Sequence, residues 1–248
     1  MQGLLDGNRT ALATLLAAAS LLLAACSSSQ NDSGRQVVTL DFTAADAPDA
    51  SGWEAGFADY SPEQEEIMEF ASGHEPLPGK LSGEGHGLMV GATNRSDDVF
   101  MYWTGPVQGL APETSYEARF RVEFATDSPA GCAGIGGAPG ESVWVKTGMT
   151  TRQPEPVLVE EHWRMNIDKG NQSAGGKDAI IIGNVANEGS GCNVGERVWE
   201  LKTVESDGAF ILNTDSDGVA WVTVGTDSGF EGRTELFYTR IVATLEPR

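Results

Sequence analysis

The sequence has few basic residues. Lysine and arginine contribute 16 residues against 36 aspartates and glutamates, which gives the 248-residue chain a formal net charge of −20 at pH 7. Proteins that bind nucleic acid carry a basic patch, so the sequence predicts no nucleic-acid partner. The same charge disfavours attraction to anionic lipid headgroups. Cations are the natural counter-partners of so acidic a chain.

Histidine and cysteine are equally scarce, with three residues of each. Asp227-Ser228-Gly229 resembles the nucleophile turn of serine proteases, but the flanking pattern of such enzymes is absent around His74, His86 and His162. A glycoside hydrolase needs two carboxylates across a cleft, and no pair stands out among the 36 acidic residues. The sequence therefore names no catalytic residue, and a surface polysaccharide hydrolase or lyase stays open as an alternative.

An uncharged apolar run, Thr10 to Ala25, lies near the N-terminus, directly before Cys26 and a serine-rich tract. The run is shorter than the roughly 20 residues that a membrane-spanning helix needs. The small residues at its C-terminal end are typical of a cleaved signal peptide. The segment Leu23-Ala24-Ala25-Cys26 resembles the lipobox of bacterial lipoproteins. The resemblance implies a lipoprotein signal peptide over residues 1–25 and a lipid with fatty acids such as palmitate on Cys26. We therefore expect an extracytoplasmic protein, anchored to the outer membrane or cell surface through a flexible tether over residues 26–35.

The other two cysteines, Cys132 and Cys192, each lie in a glycine-rich loop. Lipidation of Cys26 would leave them as an even pair in an oxidising compartment, which predicts a disulfide. Metal ligation is the alternative, although neither cysteine has a C-x-x-C partner or a nearby histidine.

Short apolar or alternating runs fill the chain from Gln36 onward, separated by Gly, Asp, Asn and Pro about every ten residues. This pattern predicts one antiparallel β-sandwich domain over residues 36–248, with about eleven or twelve strands. The clearest alternation runs from Tyr116 to Phe124, and Val157 to Ile167 is predicted to be one long strand. A capping-box sequence that begins at Ser61 predicts one short helix near the start of the domain, ended by Gly73.

Two segments resemble known β-sandwich families. The L-x-P-x-T-x-Y segment from Leu110 to Tyr116 resembles the tyrosine corner of fibronectin type III domains and the corresponding strand of jelly-roll carbohydrate-binding modules. The stretch from Ser216 to Leu245 is similar to the last two strands of such modules. These resemblances imply a jelly-roll-like sandwich. The segments GIGGAPG, NIDKGNQS and GTDSGFEG also resemble uncharacterised secreted bacterial lipoproteins, which implies a shared fold and export route only.

Trp144 alternates with Ser142 and Lys146, so it should face solvent or a loop. An exposed tryptophan on a sandwich can stack on a pyranose ring while neighbouring polar groups form directed hydrogen bonds. The alternative is that a loop, such as residues 134–140, covers Trp144. The polar loops 166–172 and 227–233 could meet at one end of the sandwich. The candidate ligand-binding residues are Trp144, Asn166, Asp168, Lys169, Asn171, Gln172, Asp227 and Glu231.

These features predict a non-catalytic module that binds carbohydrate or another cell-envelope component, with a structural envelope protein as a further alternative. Calcium is a candidate cofactor, because Asn213, Asp215 and Asp217 precede Gly218 as in the first half of an EF-hand loop. The twelfth position is Val224 rather than glutamate, so the loop is incomplete. A β-hairpin turn is the other interpretation of this segment.

Overall fold

The computed structural model describes residues 34–248. The predicted signal peptide, Cys26 and most of the predicted tether lie outside these residues. The strands are β1 (Gln36–Asp41), β2 (Glu54–Ala58), β3 (Ala71–Pro76), β4 (His86–Thr93), β5 (Val99–Val107), β6 (Ser115–Thr126), β7 (Val143–Thr150), β8 (Pro156–Val159), β9 (His162–Met165), β10 (Ile180–Asn184), β11 (Glu200–Glu205), β12 (Phe210–Asn213), β13 (Ala220–Ser228) and β14 (Arg233–Pro247).

Helical structure in the described part of the chain is confined to short 3₁₀ segments. They cover Pro48–Ala50, Pro62–Met68, Gly79–Leu81 and Val194–Glu196. Among residues 34–248, no helix has the length and apolar character needed to cross a membrane.

The strands form two antiparallel sheets and a separate hairpin. Sheet A has the order β11-β6-β14-β4-β3, with β1 also paired to β14 and β12 also paired to β6. Sheet B has the order β10-β7-β13-β5-β2. β8 and β9 form the hairpin, which an isolated antiparallel bridge between Trp163 and Tyr60 joins to the chain after β2. The chain changes sheet at each step from β4 to β7 and again from β12 to β14. As a result β14 lies between β4 and β6, while β13 lies between β5 and β7. This is the double Greek-key order of a jelly roll, so the predicted fold class is confirmed.

The core lies between the two sheets and follows the alternation seen in the sequence. On β6, the inward residues Tyr116, Ala118, Phe120, Val122 and Phe124 are each at most 2% exposed. At the start of β6, the backbone N–H of Ala111 donates to the Tyr116 hydroxyl at 2.9 Å. This bond confirms the expected tyrosine corner, which ties the loop before β6 to the core.

The predicted disulfide between Cys132 and Cys192 is present, with a Cα–Cα distance of 5.6 Å. It joins the loop after β6 to the loop after β10, and a short parallel bridge between Pro129 and Asn187 pairs the same two loops. The cysteines are 60 residues apart in sequence, so loop closure in the unfolded chain gives a stabilisation of about 4 kcal/mol.

The predicted helix is present but shorter than expected, and it is a 3₁₀ helix. Ser61 and Gln64 form the expected capping box, and the helix covers Pro62–Met68. Glu69 then adopts a left-handed backbone with φ of 50°, which ends the helix well before its predicted last residue. The following segment, Ala71–Pro76, is strand β3 because its backbone pairs with β4.

The prediction of a single strand from Val157 to Ile167 is wrong. The chain instead forms the β8-β9 hairpin, in which Val159 pairs with His162. Glu160 and Glu161 make the turn with φ of 47° and 64°, the left-handed geometry of a two-residue hairpin loop. Glycine or asparagine normally occupies such positions, so the sequence carries no signal for this turn.

Candidate functional site on the outer face of sheet B

The outer face of sheet B carries a row of polar and aromatic side chains. On β13, Asp227 is paired with Trp144 of β7 and with Phe100 of β5. One step along the same face, Lys146 is paired with Gly225. Because alternate residues of a strand point to opposite faces, these side chains all point away from the core.

The connection between β7 and β10, residues 151–179, covers this face. It contains the β8-β9 hairpin, and Met165 at the end of β9 packs on Ala58, Phe100 and Tyr102 of the sheet. The side chains of Lys146 and Asp227 have no exposed surface beneath it. A charged pair is therefore enclosed between the sheet and its covering connection.

Asp227 is the centre of a buried ionic network. Its Oδ2 accepts hydrogen bonds from Lys146 Nζ and Lys169 Nζ, each at 2.7 Å, and from the backbone N–H of Gln172 at 2.9 Å. Lys146 Nζ also donates to the carbonyl oxygens of Lys169 at 3.0 Å and Ala174 at 2.9 Å. Two strands of sheet B and the covering connection are thus joined at one carboxylate oxygen.

Lys169 extends the network to a second carboxylate. Its Nζ lies 2.7 Å from Asp59 Oδ2 and 4.9 Å from the centre of the Phe100 ring. Burial alone would lower the pKa of Lys169, but the carboxylates of Asp227 and Asp59 raise it above its ordinary value. Arg164 Nη1 donates to Asp59 Oδ1 at 2.9 Å from the rim of the cover. Asp59 itself has a left-handed backbone with φ of 66°, a conformation that persists only where surrounding contacts fix it.

Asp98 contributes a third carboxyl group, and it holds a proton at neutral pH. Carboxyl oxygens of Asp59, Asp98 and Asp227 lie within 4.8 Å of one another. Burial, followed by the negative charges of Asp227 and Asp59, raises the pKa of Asp98 to about 8. Burial would raise the pKa of Asp227 as well, but Lys169 and Lys146 lower it below its ordinary value.

The protonation of Asp98 makes the charges of the buried members of the network balance, while Arg164 contributes a further positive charge from the exposed rim. Two lysines then face the two ionised carboxylates of Asp59 and Asp227. A cation in the middle of the three carboxyl groups would lie beside the ammonium of Lys169, which already contacts two of them at 2.7 Å. The three carboxyl groups therefore suit the ammonium groups of the lysines as partners and do not suit an added metal ion.

A cleft of about 340 Å³ opens beside this network, which is within the size range of small-molecule sites. Its lining residues are Asp59, Arg164, Met165, Ile167, Asp168, Lys169, Gly170 and Asn171. Asn171 is exposed, and its side-chain amide has no hydrogen-bond partner among residues 34–248. The Asp168 carboxylate accepts backbone N–H groups of Lys177 and Gly170, which lower its pKa.

Several predicted ligand-binding residues are brought together here. Asp168, Lys169 and Asn171 line the cleft. The next residue, Gln172, donates its backbone N–H to Asp227. Their binding role stays a prediction. Asp227 was expected in a loop, and that expectation is wrong, because it is a residue of β13 with no exposed side-chain surface. It cannot touch a ligand or a polysaccharide substrate unless the covering connection moves.

Other predicted residues lie outside the cleft. Asn166 uses its side chain to hold the base of the β8-β9 hairpin, where it accepts from the N–H of Glu155 and donates to the carbonyl of Gln153. Trp144 is half-buried, and a Cβ added at Gly229 would lie 3.4 Å from its ring and 3.2 Å from the Gln172 side-chain oxygen. Glu231 is exposed next to Gly136 in the glycine-rich loop. Trp144 is therefore not an open platform.

The candidate calcium residues lie at a turn between the two sheets. Asn213 ends β12 in sheet A, and the chain enters β13 in sheet B soon afterwards, so the β-hairpin interpretation is wrong. Asp215 Oδ1 accepts from the N–H of Asp217 at 3.0 Å, and Gly218 has φ of 63°. The Asp215 side chain thus stabilises the turn through its own backbone. Calcium binding here stays a prediction.

Four residues of the network were missed in the sequence: Asp59, Asp98, Lys146 and Arg164. Lys146 gave a weak signal, because it lies on the outward face of a strand whose other face carries Val143 and Val145. Asp59 and Asp98 lie at strand ends, where acidic residues are ordinary. Their proximity depends on the pairing of distant strands, which the sequence does not show.

Comparison with known proteins gives no close relative. No family model and no curated protein matches the chain. Several similar solved structures are carbohydrate-binding modules. The mannan-recognising module TmCBM27 is 10% identical, with 86% of this chain and 98% of that chain covered and a TM-score of 0.40. A putative sugar binding protein from Bacteroides thetaiotaomicron is 8% identical, with 79% and 88% covered and a TM-score of 0.39.

The enzymatically active domain of tailspike protein 4 from bacteriophage CBA120 is also similar. It is 8% identical, 77% of this chain is covered, and the TM-score is 0.35. This chain spans only 19% of the tailspike domain. These likenesses assign no family.

Proposed function

We propose that this protein is a lipid-anchored, non-catalytic module of the cell envelope that binds carbohydrate in the cleft beside the β8-β9 hairpin. The observation that carries the proposal is the lining of the cleft by Arg164, Asp168 and Asn171. Sugar hydroxyls donate and accept hydrogen bonds, and guanidinium, carboxylate and amide groups supply both kinds of partner. The volume of about 340 Å³ suits one sugar residue or the end of a glycan chain.

The floor of the cleft supports this proposal because it is rigid before any ligand arrives. Lys169 and Asp59 are buried, and their charged groups are fixed by the ion contacts of the network. A preorganised site binds more tightly, since less side-chain entropy is lost on binding. Among residues 34–248, the side-chain amide of Asn171 has no hydrogen-bond partner, and the 47% exposed Arg164 has four N–H donors left beside its bond to Asp59.

The lipid anchor and envelope location rest on the lipobox-like segment that ends at Cys26. The disulfide between Cys132 and Cys192 fits an oxidising, extracytoplasmic compartment. Radiolabelled palmitate should be incorporated into the wild-type chain and not into Cys26→Ser. Equal incorporation into both chains would contradict the anchor.

A glycan-array screen tests carbohydrate binding. The wild-type chain, with its disulfide intact, should retain a defined set of glycans, and Asn171→Ala should lose them. Arg119→Ala is the matched control, because Arg119 is exposed on β6 of the opposite sheet. An array without any bound glycan would contradict the proposal. Parallel screens with calcium and with a chelator test the predicted role of Asn213, Asp215 and Asp217.

A further inference from the structure

We propose that Lys146 and Asp227 become joined by an intramolecular amide bond, with Asp98 transferring the protons. The bond would link β7 covalently to β13 on the outer face of sheet B. It is independent of carbohydrate binding, because neither Lys146 nor Asp227 lines the cleft.

The two reacting groups are held in contact with water excluded. Lys146 and Asp227 lie on adjacent strands and point to the same face, two residues apart in the register. Lys146 Nζ is 2.7 Å from Asp227 Oδ2, and both side chains have 0% exposure. An amine and a carboxyl group fixed this closely react as one molecule, which removes the entropic cost of bringing them together. Exclusion of water also favours amide formation, because the reaction releases a water molecule.

Lys146 is better suited to the reaction than Lys169, although both contact Asp227 at 2.7 Å. Lys169 is held as an ammonium between two carboxylates, and these raise its pKa. Lys146 contacts one carboxylate, and burial lowers its pKa despite the opposing charge of Asp227. A neutral amine, which is the nucleophilic form, is therefore more accessible at Lys146.

Asp98 supplies the acid that amide formation requires. A carboxylate is a poor electrophile, and a hydroxyl leaves a tetrahedral carbon more easily as water. Asp98 Oδ1 and Asp227 Oδ1 are both buried without a hydrogen-bond partner among the described residues. The other charged groups around Asp98 are Asp59 and Lys169, and the raised pKa of Asp98 keeps it protonated at neutral pH.

The proposed step balances without an oxidant or cofactor. Lys146 passes one proton along its hydrogen bond to Asp227, which leaves a neutral amine and a neutral carboxyl group. The amine lone pair attacks Asp227 Cγ, so the C–N bond forms. Asp98 gives its proton to the departing hydroxyl and takes one proton from the nitrogen. The C–O bond then breaks, one water leaves, and Asp98 is again protonated.

The product relieves the buried network of one positive and one negative charge. Lys169 and Asp59 remain as a balanced pair at 2.7 Å. The amide N–H can still donate to the carbonyl of Lys169 or Ala174, which Lys146 Nζ contacts now. Replacing a buried ion pair by a neutral group removes a desolvation penalty.

Peptide mass spectrometry tests the bond directly. The full chain is purified, reduced to open the disulfide, and digested with trypsin. In the wild type, the peptide that contains Lys146 should stay joined to the peptide that contains Asp227, with a total mass lower than their sum by one water. Trypsin should not cut after Lys146.

Two variants identify the groups involved. Lys146→Arg keeps the positive charge but cannot form this amide, and Asp98→Asn lacks the transferable proton, so both should give separate peptides. A folded wild type, shown by its disulfide and circular dichroism, that gives a free Asp227 peptide and cleavage after Lys146 would overturn the proposal. A link at Lys169 instead would also overturn it. The wild-type result decides the matter even if a variant fails to fold.

Discussion

Lys169 is the residue whose loss should damage the floor of the cleft most clearly. Its Nζ lies 2.7 Å from the carboxylates of both Asp59 and Asp227, and its side chain is 5% exposed. Lys169→Met keeps most of the aliphatic stem and removes the charge. Asp59 would then keep only the partly exposed Arg164 as an ionic partner, and Asp227 would lose one of its three donors to Oδ2.

Breaking a buried ion pair by removing one partner costs about 3–5 kcal/mol, because it leaves a buried charge uncompensated. With a urea m-value of about 2–3 kcal/mol/M, the unfolding midpoint should fall by about 1–2.5 M. Arg121→Met is the matched control. Arg121 and Glu205 form a pair at 3.3 Å with side chains 60% and 67% exposed, and exposed pairs contribute at most about 1 kcal/mol.

Urea unfolding followed by tryptophan fluorescence measures both variants. A loss below about 1 kcal/mol for Lys169→Met, similar to that of Arg121→Met, would refute the view that the network fixes the covering connection on sheet B.

Three further predictions concern stability. Tyr116→Phe leaves the Ala111 N–H without its acceptor and should cost about 1–2 kcal/mol in urea unfolding; an unchanged midpoint would contradict the tyrosine corner. Replacing both Cys132 and Cys192 by serine should lower the free energy of unfolding by about 4 kcal/mol in the same assay. An unchanged free energy of unfolding would contradict stabilisation by loop closure. The pKa of Asp98 is about 8 in the fold against 3.8 for an ordinary aspartate, so the folded state binds the extra proton between these values. The contribution of Asp98 to stability should therefore be complete below about pH 4 and disappear as the pH rises through about 8, and Asp98→Asn should flatten this slope; a wild-type slope of opposite sign relative to the variant would contradict the raised pKa.

The jelly roll could be predicted because its signals are local. The alternation from Tyr116 to Phe124 sets the inward face of β6, and the tyrosine corner needs only the seven residues that end at Tyr116. The disulfide followed from the number of cysteines and the expected compartment. Each of these features depends on neighbouring residues or on a simple count.

The ionic network could not be predicted because its members are far apart in the sequence. Asp227 and Lys146 are 81 residues apart, and they meet only through the register of β7 and β13. The β8-β9 hairpin escaped detection since its turn uses Glu160 and Glu161 in left-handed conformations. Because this turn was not predicted, the sequence did not indicate that the connection between β7 and β10 covers sheet B. The sequence therefore placed Trp144 and the cleft residues Asp168, Lys169 and Asn171 in one candidate site without showing the cleft itself.

Calorimetric titration with the strongest glycan from the array tests the central claim most directly. The claim is that the cleft, and not the outer tryptophan, binds the sugar. Loss of a hydrogen bond to the ligand in Asn171→Ala should weaken binding about tenfold or more, whereas Arg119→Ala should bind like the wild type. Binding that is unchanged in Asn171→Ala but abolished in a folded Trp144→Ala would contradict the cleft as the site.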